Sequence, residues 1–266
     1  HVIEGSSFQI DLAPTLDPSI GVLLNVSADH LDRHGTMKAY AAIKERLIAN
    51  ADVAVVAVDD QWSRAAAGRI ARAGKTVVRV STREVLADGV YAEGDKLFLS
   101  RDGAARPVAD LAGIGSLRGR HNAENAAAAF AVGLALGLES EDLAQALRTF
   151  PGLAHRMEEV GRRGRVLFVN DSKATNADAA EKALASFERI YWIAGGRAKE
   201  GGIAGLADYF PRIAKAYLIG EAAEDFANTL RGSAPFEISG TLAAATAAAA
   251  GDADRDQGGE PVVLLS

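Results

Sequence analysis

Residues 19–34 read SIGVLLNVSADHLDRH. The first half is a continuous aliphatic run. The second half is polar and packs two Asp and two His into residues 29–34. An unbroken apolar run of this length suits a strand buried on both faces, as in a parallel sheet covered by helices. Helix-like sequence follows at 36–51. A strand that runs into a polar cluster and then a helix is the repeating unit of an α/β fold. Open sheets of that class take their ligands just past the carboxyl ends of the strands. This stretch therefore sets both the expected fold class and the place to look for chemistry.

The pattern recurs along the chain. Short β-branched runs stand at 21–26, 52–58, 76–81, 165–170, 189–195, 216–220, 236–239 and 261–266. Helical patterns lie at 36–51, 122–137, 140–150, 178–187, 221–230 and 241–250. Alternation of this kind implies crossover connections and an α/β fold. Residues 89–108 break the pattern with Gly-Asp and Asp-Gly turns and read as a small antiparallel hairpin patch. The sequence divides at Pro151-Gly152: residues 1–151 form one expected domain, and residues 152–266 a second, Rossmann-like one. The first residues, HVIEGSSFQ, read as strand and loop. The last, PVVLLS, read as a strand, so both ends are expected to lie inside a longer protein.

Composition narrows the function. With 266 residues, 48% hydrophobic and 24% charged, the chain can bury two ordinary cores. It has no cysteine, which excludes disulfides and thiolate metal sites and suits the cytoplasm. A net charge of −6 argues against a general nucleic-acid binder. No apolar run reaches the ~20 residues of a membrane span.

Several motifs carry candidate chemistry. On a helical wheel of 36–51, Met37, Tyr40, Ala41, Leu47 and Ile48 share one face. Lys44 falls in the centre of that arc, where burial would favour a neutral amine. Such an amine could attack, pair with an acid, or take up carbon dioxide as a carbamate; a lysine that snorkels to the surface fits the pattern equally. Ser27, Asp29 and Thr36 are explained as turn and cap residues. His30 is not, and a His beside carboxylates can hold a divalent cation. In RGRHNAEN (118–125), Asn122 is a candidate N-cap. Asn125 lies one turn on, placed with Asn122 to hydrogen-bond a flat ring. Arg156 in GLAHRME is either a linker residue or a phosphate contact. VNDSKATNADA (169–179) repeats the strand-end logic, with Asp171, Lys173, Thr175 and a capping Thr175 or Asn176 before a helix. A lysine at a helix N-terminus runs against the dipole and suits an anionic ligand. IAGGRAKEGG (193–202) adds Arg197 and Lys199. The stretch GRIARAGKT (68–76) imitates a phosphate-binding P-loop, but five residues separate its glycines and a strand follows it. It reads as a helix end with a glycine cap.

Together, E-x-SSFQ (4–9), NVSxDHLDRH (25–34), the helix with Lys44, GRHNxxN (119–125), GLxHR (152–156), NDSKATN (170–176) and the Gly-Gly…Lys199 loop resemble the Mur ligases, in that order and across essentially the whole chain. NDSKATN is the most specific of them and points to the branch that adds D-glutamate. The resemblance implies the later part of a central P-loop-type ATPase domain in residues 1–151, and a Rossmann-like domain binding amino acid and ATP in 152–266. It implies an ATP-dependent acid–amino-acid ligase of peptidoglycan precursor synthesis, working as a cytoplasmic bacterial monomer. Its substrates would be UDP-N-acetylmuramoyl-L-alanine and D-glutamate, joined through an acyl phosphate. It further implies Mg2+ on Glu4, His30 and a carbamylated Lys44. ATP would meet Asn122, Asn125, Arg156 and Asp171, and D-glutamate would meet Lys173, Thr175 and Lys199. The family's UDP-binding domain, its P-loop and a last D-glutamate loop have no counterpart in these residues, so the chain alone is expected to be inactive. Other amide ligases of the superfamily, adding meso-diaminopimelate or building folylpolyglutamate, are the alternative within the class. A non-catalytic α/β binding module is the alternative outside it.

Overall fold

The computed structural model describes residues 1–197 and 201–266. The chain forms two compact units. The first comprises His1–Ile114 and Arg120–Phe150; the second comprises Gly115–Gly119 and Pro151–Ser266. The short segment Gly115–Gly119 thus packs with the second unit, although it precedes the helix that completes the first.

In the first unit the elements run α1 (Ser7–Leu12), β1 (Ile20–Leu23), α2 (Leu31–His34), α3 (Met37–Asn50), β2 (Val53–Ala57), α4 (Gln61–Arg72), β3 (Thr76–Ser81), β4 (Gly89–Glu93), β5 (Lys96–Arg101), β6 (Ala104–Asp110), α5 (Arg120–Ala135) and α6 (Ser140–Arg148). The six strands form one sheet in chain order. β1 to β4 are parallel, and β4 to β6 are antiparallel. Residues 89–108 thus form the antiparallel hairpin pairing that the turns implied. Val90 and Tyr91 pair with Val80 and Ser81, so the hairpin extends the main sheet. Tyr40, Ala41 and Ile48 of α3 and Ala66, Ala67 and Ile70 of α4 share one core with Leu23, Ala54 and Val56. Strand alternation turns Val55 and Ala57 to the other face, where they are also buried. The Ala-rich helix α5 packs against β2, β3 and β4. Its buried residues include Ala123, Ala126, Ala127, Phe130 and Ala131.

The N-terminus differs from expectation. SSFQ is not strand but the start of α1, closed by a capping box. Ser6 Oγ accepts from Gln9 N–H (3.3 Å), and Gln9 Oε1 accepts from Ser6 N–H (2.8 Å). The Ser-x-x-Gln spacing satisfies two helix-end donors and outweighs the β-prone residues before it. α5 starts at Arg120, so Asn122 sits inside its first turn and is not the N-cap. Gly68–Arg72 is the end of α4, with Gly74 at φ +82° just past it and β3 starting at Thr76. This is the glycine-capped helix end that the spacing implied.

The second unit contains β7 (Glu158–Arg163), β8 (Val166–Asn170), α7 (Ala177–Ala185), β9 (Ile190–Gly195), β10 (Ile213–Ile219), α8 (Ala223–Leu230), β11 (Phe236–Gly240), α9 (Leu242–Arg255) and β12 (Val262–Leu265). Its sheet has the order β11-β10-β9-β12-β8-β7. All neighbours are parallel except β7 on β8. α7, α8 and the 3-10 segment Ala204–Arg212 pack on one face around Trp192, Leu167 and Leu218. α9 covers the other through Ala245, Ala249 and Ala253, against Tyr191, Tyr217 and Val263. The last strand returns to the middle of the sheet, so the carboxyl ends of β8, β12 and β9 lie side by side. Ile219 O would stand 1.9 Å from a Cβ at Gly195, and Gly196 takes φ +101°. The glycine pair is thus required where β9 and β10 close on one another.

Candidate functional site

In the first unit, His30 and Lys44 lie at the carboxyl end of β1. β1 exits through Asn25 and Val26 into the loop that carries Asp29 and His30. Lys44, one helical turn from Tyr40 on α3, reaches that exit. Its Nζ donates to Asn25 O (3.4 Å) and stands 5.1 Å from the centre of the Tyr40 ring. Lys44 is half-buried, with its stem along the apolar arc and its amine at the strand end. The amine's hydrogen bond is exposed, so the side chain sits partly buried with its amine outside the core, as the snorkelling reading expects.

His30 adopts a left-handed backbone, φ 52°. For a residue with a Cβ this conformation persists only when the surroundings impose it. Asp29 helps impose it by accepting from His30 N–H (3.0 Å), and its carboxylate lies 3.4 Å from His30 Nε2. The ring is half exposed and meets Phe8 edge-on, 5.1 Å between centroids. Glu4 is exposed on the segment leading into α1.

Two side chains that shape this edge do not stand out in the motifs. Asp60 caps α4 by accepting from Trp62 N–H (2.8 Å) and Ser63 N–H (2.9 Å). Its second oxygen accepts from Val26 N–H (3.2 Å), which ties the exit of β1 to α4. An Asp after an apolar run and before a helix is a cap signal, and residues 52–63 carry it. His34 is the other; its Nε2 shares a hydrogen bond with the buried Ser7 Oγ (2.9 Å). Asn125 Nδ2 donates to Asn122 Oδ1 (3.3 Å) on α5, so the two amides do share one face.

A divalent cation can be tested against these donors. The Glu4 carboxylate and the His30 imidazole are ordinary ligands for one. A lysine ammonium is not; Lys44 fits the set only as a carbamate, which exchanges its positive charge for a carboxylate. Among the described residues, no three His, Asp or Glu side chains already converge on one point.

In the second unit, Arg156, Asp171, Lys173 and Thr175 are brought to the carboxyl end of β8. Asp171 is buried, its N–H donates to Leu265 O (2.8 Å), and its Oδ1 accepts from Met157 N–H (2.9 Å). Burial raises its carboxyl above the ordinary value, opposed by the Met157 hydrogen bond and the Arg156 charge. His155 and Met157 both have positive φ, and Lys173 N–H donates to His155 O (3.1 Å). The GLAHRM loop is thereby folded onto the NDSK turn. Asn176, not Thr175, caps α7 by accepting from Ala179 N–H (2.8 Å), which leaves Thr175 exposed beside Lys173. Arg197, past β9, pairs with Glu221 at 3.2 Å, and both are well exposed. Lys199 lies outside the described residues.

Two α/β units, each with a largely parallel sheet and polar residues past a strand's carboxyl end, belong to the open-sheet class that takes its ligands there. The chain belongs to the Mur ligase family: the Mur ligase middle domain matches residues 1–133, and the Mur ligase glutamate ligase domain matches residues 155–266. It is 64% identical over 269 residues to UDP-N-acetylmuramoylalanine–D-glutamate ligase of Nitrobacter hamburgensis, covering all of this chain and 58% of that protein. The chain thus spans little more than half the length of the relatives it matches. In fold it is similar to MurF from Acinetobacter baumannii, with a TM-score of 0.67 at 18% identity over 97% of this chain and 58% of that one. It is also similar to Mycobacterium tuberculosis folylpolyglutamate synthase, solved with ADP and AMPPCP. There the TM-score is 0.66 at 18% identity, over 95% of this chain and 62% of that one. Among the described residues no helix is long and apolar enough to cross a membrane.

Proposed function

We propose that this chain supplies two domains of an ATP-dependent ligase that joins D-glutamate to UDP-N-acetylmuramoyl-L-alanine in bacterial peptidoglycan synthesis. The observation that carries the reading is the 64% identity to a D-glutamate ligase along the full chain, with NDSKATN set at the carboxyl end of β8.

In the first step a carboxylate oxygen of the alanyl group bonds to the γ-phosphorus of ATP, and the bond to the β-phosphate oxygen breaks, releasing ADP. The glutamate nitrogen then bonds to the acyl carbon. Phosphate leaves, and the nitrogen gives up its proton. Asn122 and Asn125 present a flat amide pair to the adenine. Arg156 and the buried Asp171 contact phosphate and ribose. Lys173, Thr175 and Lys199 orient the glutamate carboxylates. Glu4, His30 and a carbamylated Lys44 would hold Mg2+, which would offset phosphate charge. The protein works as a cytoplasmic monomer.

The test is ADP release by the full-length protein with UDP-N-acetylmuramoyl-L-alanine and each candidate amino acid. D-glutamate is expected to give the highest kcat/KM. A preference for meso-diaminopimelate, or for any other amino acid, refutes the assignment.

A further inference from the structure

We infer that His34 is a positioning residue whose ring sets the geometry between His30 and Lys44. The inference rests on the reading of Glu4, His30 and Lys44 as cation ligands. The sequence gives His34 no task beyond the turn into α3. In the structure it sits in a continuous row of rings. Its imidazole lies 5.5 Å from the Phe8 ring on one side and 5.3 Å from the Tyr40 ring on the other. Phe8 in turn meets the His30 ring at 5.1 Å, and Tyr40 carries Lys44 Nζ at 5.1 Å. The order His30, Phe8, His34, Tyr40, Lys44 therefore joins the two candidate ligands through three packed rings. Tyr40 is buried, 5% exposed, and anchors the row to the core. Ser7, also buried, shares its hydroxyl with His34 Nε2 and draws α1 onto the same row. Glu4 lies on the segment entering that helix.

Physics favours the ring over the hydrogen bond as the working part. His30 is half exposed on a left-handed turn. Its ring direction is set by Phe8 and Asp29. Phe8 is itself partly exposed and is packed by the His34 ring and by the Arg33 guanidinium, 5.8 Å from its ring centre. Removing the ring at 34 loosens Phe8, and with it one of the two contacts that set the His30 ring, and takes away the ring packed on the face of Tyr40 beside Lys44. Outer residues that hold metal ligands in this way typically change metal affinity by about 10–100-fold.

The experiment uses the full-length protein equilibrated with 13C-bicarbonate. Its readouts are the carbamate carbon resonance of Lys44 and the Mn2+ concentration that broadens that resonance by half; ligase turnover is followed beside them. His34→Ala and His34→Gln are expected to raise that Mn2+ concentration about tenfold or more. They should lower kcat more than the KM for the nucleotide sugar. His34→Phe, which keeps the ring and loses the hydrogen bond to Ser7, should stay within about threefold of wild type. Phe8→Ala removes an exposed ring without a core cavity, and decides the matter if the Ala or Gln variant does not fold; it should also raise the Mn2+ requirement. Broadening unchanged in His34→Ala or in Phe8→Ala overturns the proposal, as does a His34→Phe protein as impaired as His34→Ala. A wild-type protein that forms no ADP but shows His34-dependent broadening would refute the ligase assignment and keep the positioning role. Turnover with broadening indifferent to His34 would do the reverse. Absence of any carbamate signal in an active wild type overturns the positioning role outright.

Discussion

Asp256, the residue after α9, is the carboxylate whose loss the second unit should feel most sharply. Its side chain is 3% exposed and takes hydrogen bonds from Arg189 Nε, Tyr191 Oη (2.6 Å) and Gly258 N–H (2.8 Å). The Arg189 guanidinium does most to hold its carboxyl at about 2, against burial, which pushes it upward; Tyr191 and Gly258 add to the lowering. In the unfolded chain the group returns to 3.8. A depression of that size, at about 1.4 kcal/mol per pH unit, amounts to about 2 kcal/mol of stability. The folded pKa is the lower one, so this stability is present above the unfolded value and is lost as pH falls toward about 2. Asp256→Asn keeps the shape and removes the charge. At pH 7 the variant should unfold with about 2 kcal/mol less stability, a urea midpoint lower by about 1 M. The gap should shrink to about half by pH 3, because the wild-type carboxylate is then losing its advantage while the amide has none to lose. Trp192, 1% exposed in the core of this unit, reports the transition by fluorescence in a Trp62→Phe background. A gap that stays constant from pH 7 to pH 3 would show that packing, not charge, accounts for the loss and would refute the reasoning.

Lys44→Ala should abolish ligase turnover in the full-length protein, and added acetate or formate should restore part of it by standing in for the carbamate; unchanged turnover contradicts the carbamate. Gly21→Ala places a Cβ 2.7 Å from Leu47 O and 3.0 Å from Ile48 Cα, so α3 must move off β1. Overpacking of this kind costs about 1–3 kcal/mol, read in urea unfolding of the first unit by Trp62 fluorescence in a Trp192→Phe background. Because α3 carries Lys44, kcat should fall as well. Asp171→Ala strands the Met157 N–H and should destabilise by about 1–3 kcal/mol in denaturant titration. Asp171→Asn retains an acceptor, and burial already disfavours the charged form, so its stability should stay near wild type while the KM for ATP rises in both variants.

The candidate site of the first unit is half legible in the amino-acid sequence. His30 stands out because no turn or cap rule requires it, and Lys44 because the wheel sets a charge on an apolar face. What the motif does not carry is the environment of either. Lys44 ends at the Asn25 carbonyl because the α3–β1 crossover is tight at Gly21, a contact between residues far apart in sequence. His34 looks like a turn residue because its partners, Ser7 and Phe8, lie 27 and 26 positions away, in a stretch whose β-prone start suggests strand and loop. That stretch is helical for a local reason, the Ser-x-x-Gln cap, which competes with the residues before it. Asn122 departs from its expected cap position for the opposite reason. A good capping residue can sit inside a first turn when a glycine at φ +90° already turns the chain.

Local rules thus determine the element types in this protein. Continuous aliphatic runs, Asn and Thr caps and glycine stops act over a few residues, and they are enough to identify an α/β chain with polar residues at its strand ends. Sheet order is settled only in three dimensions. β12 is last in sequence but lies between β8 and β9, and β4 joins the hairpin to β3. Pairing between distant strands depends on which buried faces fit together, and no local pattern encodes that choice. The same long-range packing brings Asp171 against the loop Leu153–Met157 and strings His30 to Lys44 through Phe8, His34 and Tyr40. The sequence names the reactive groups, while the tertiary structure decides which of them are held in place and by what.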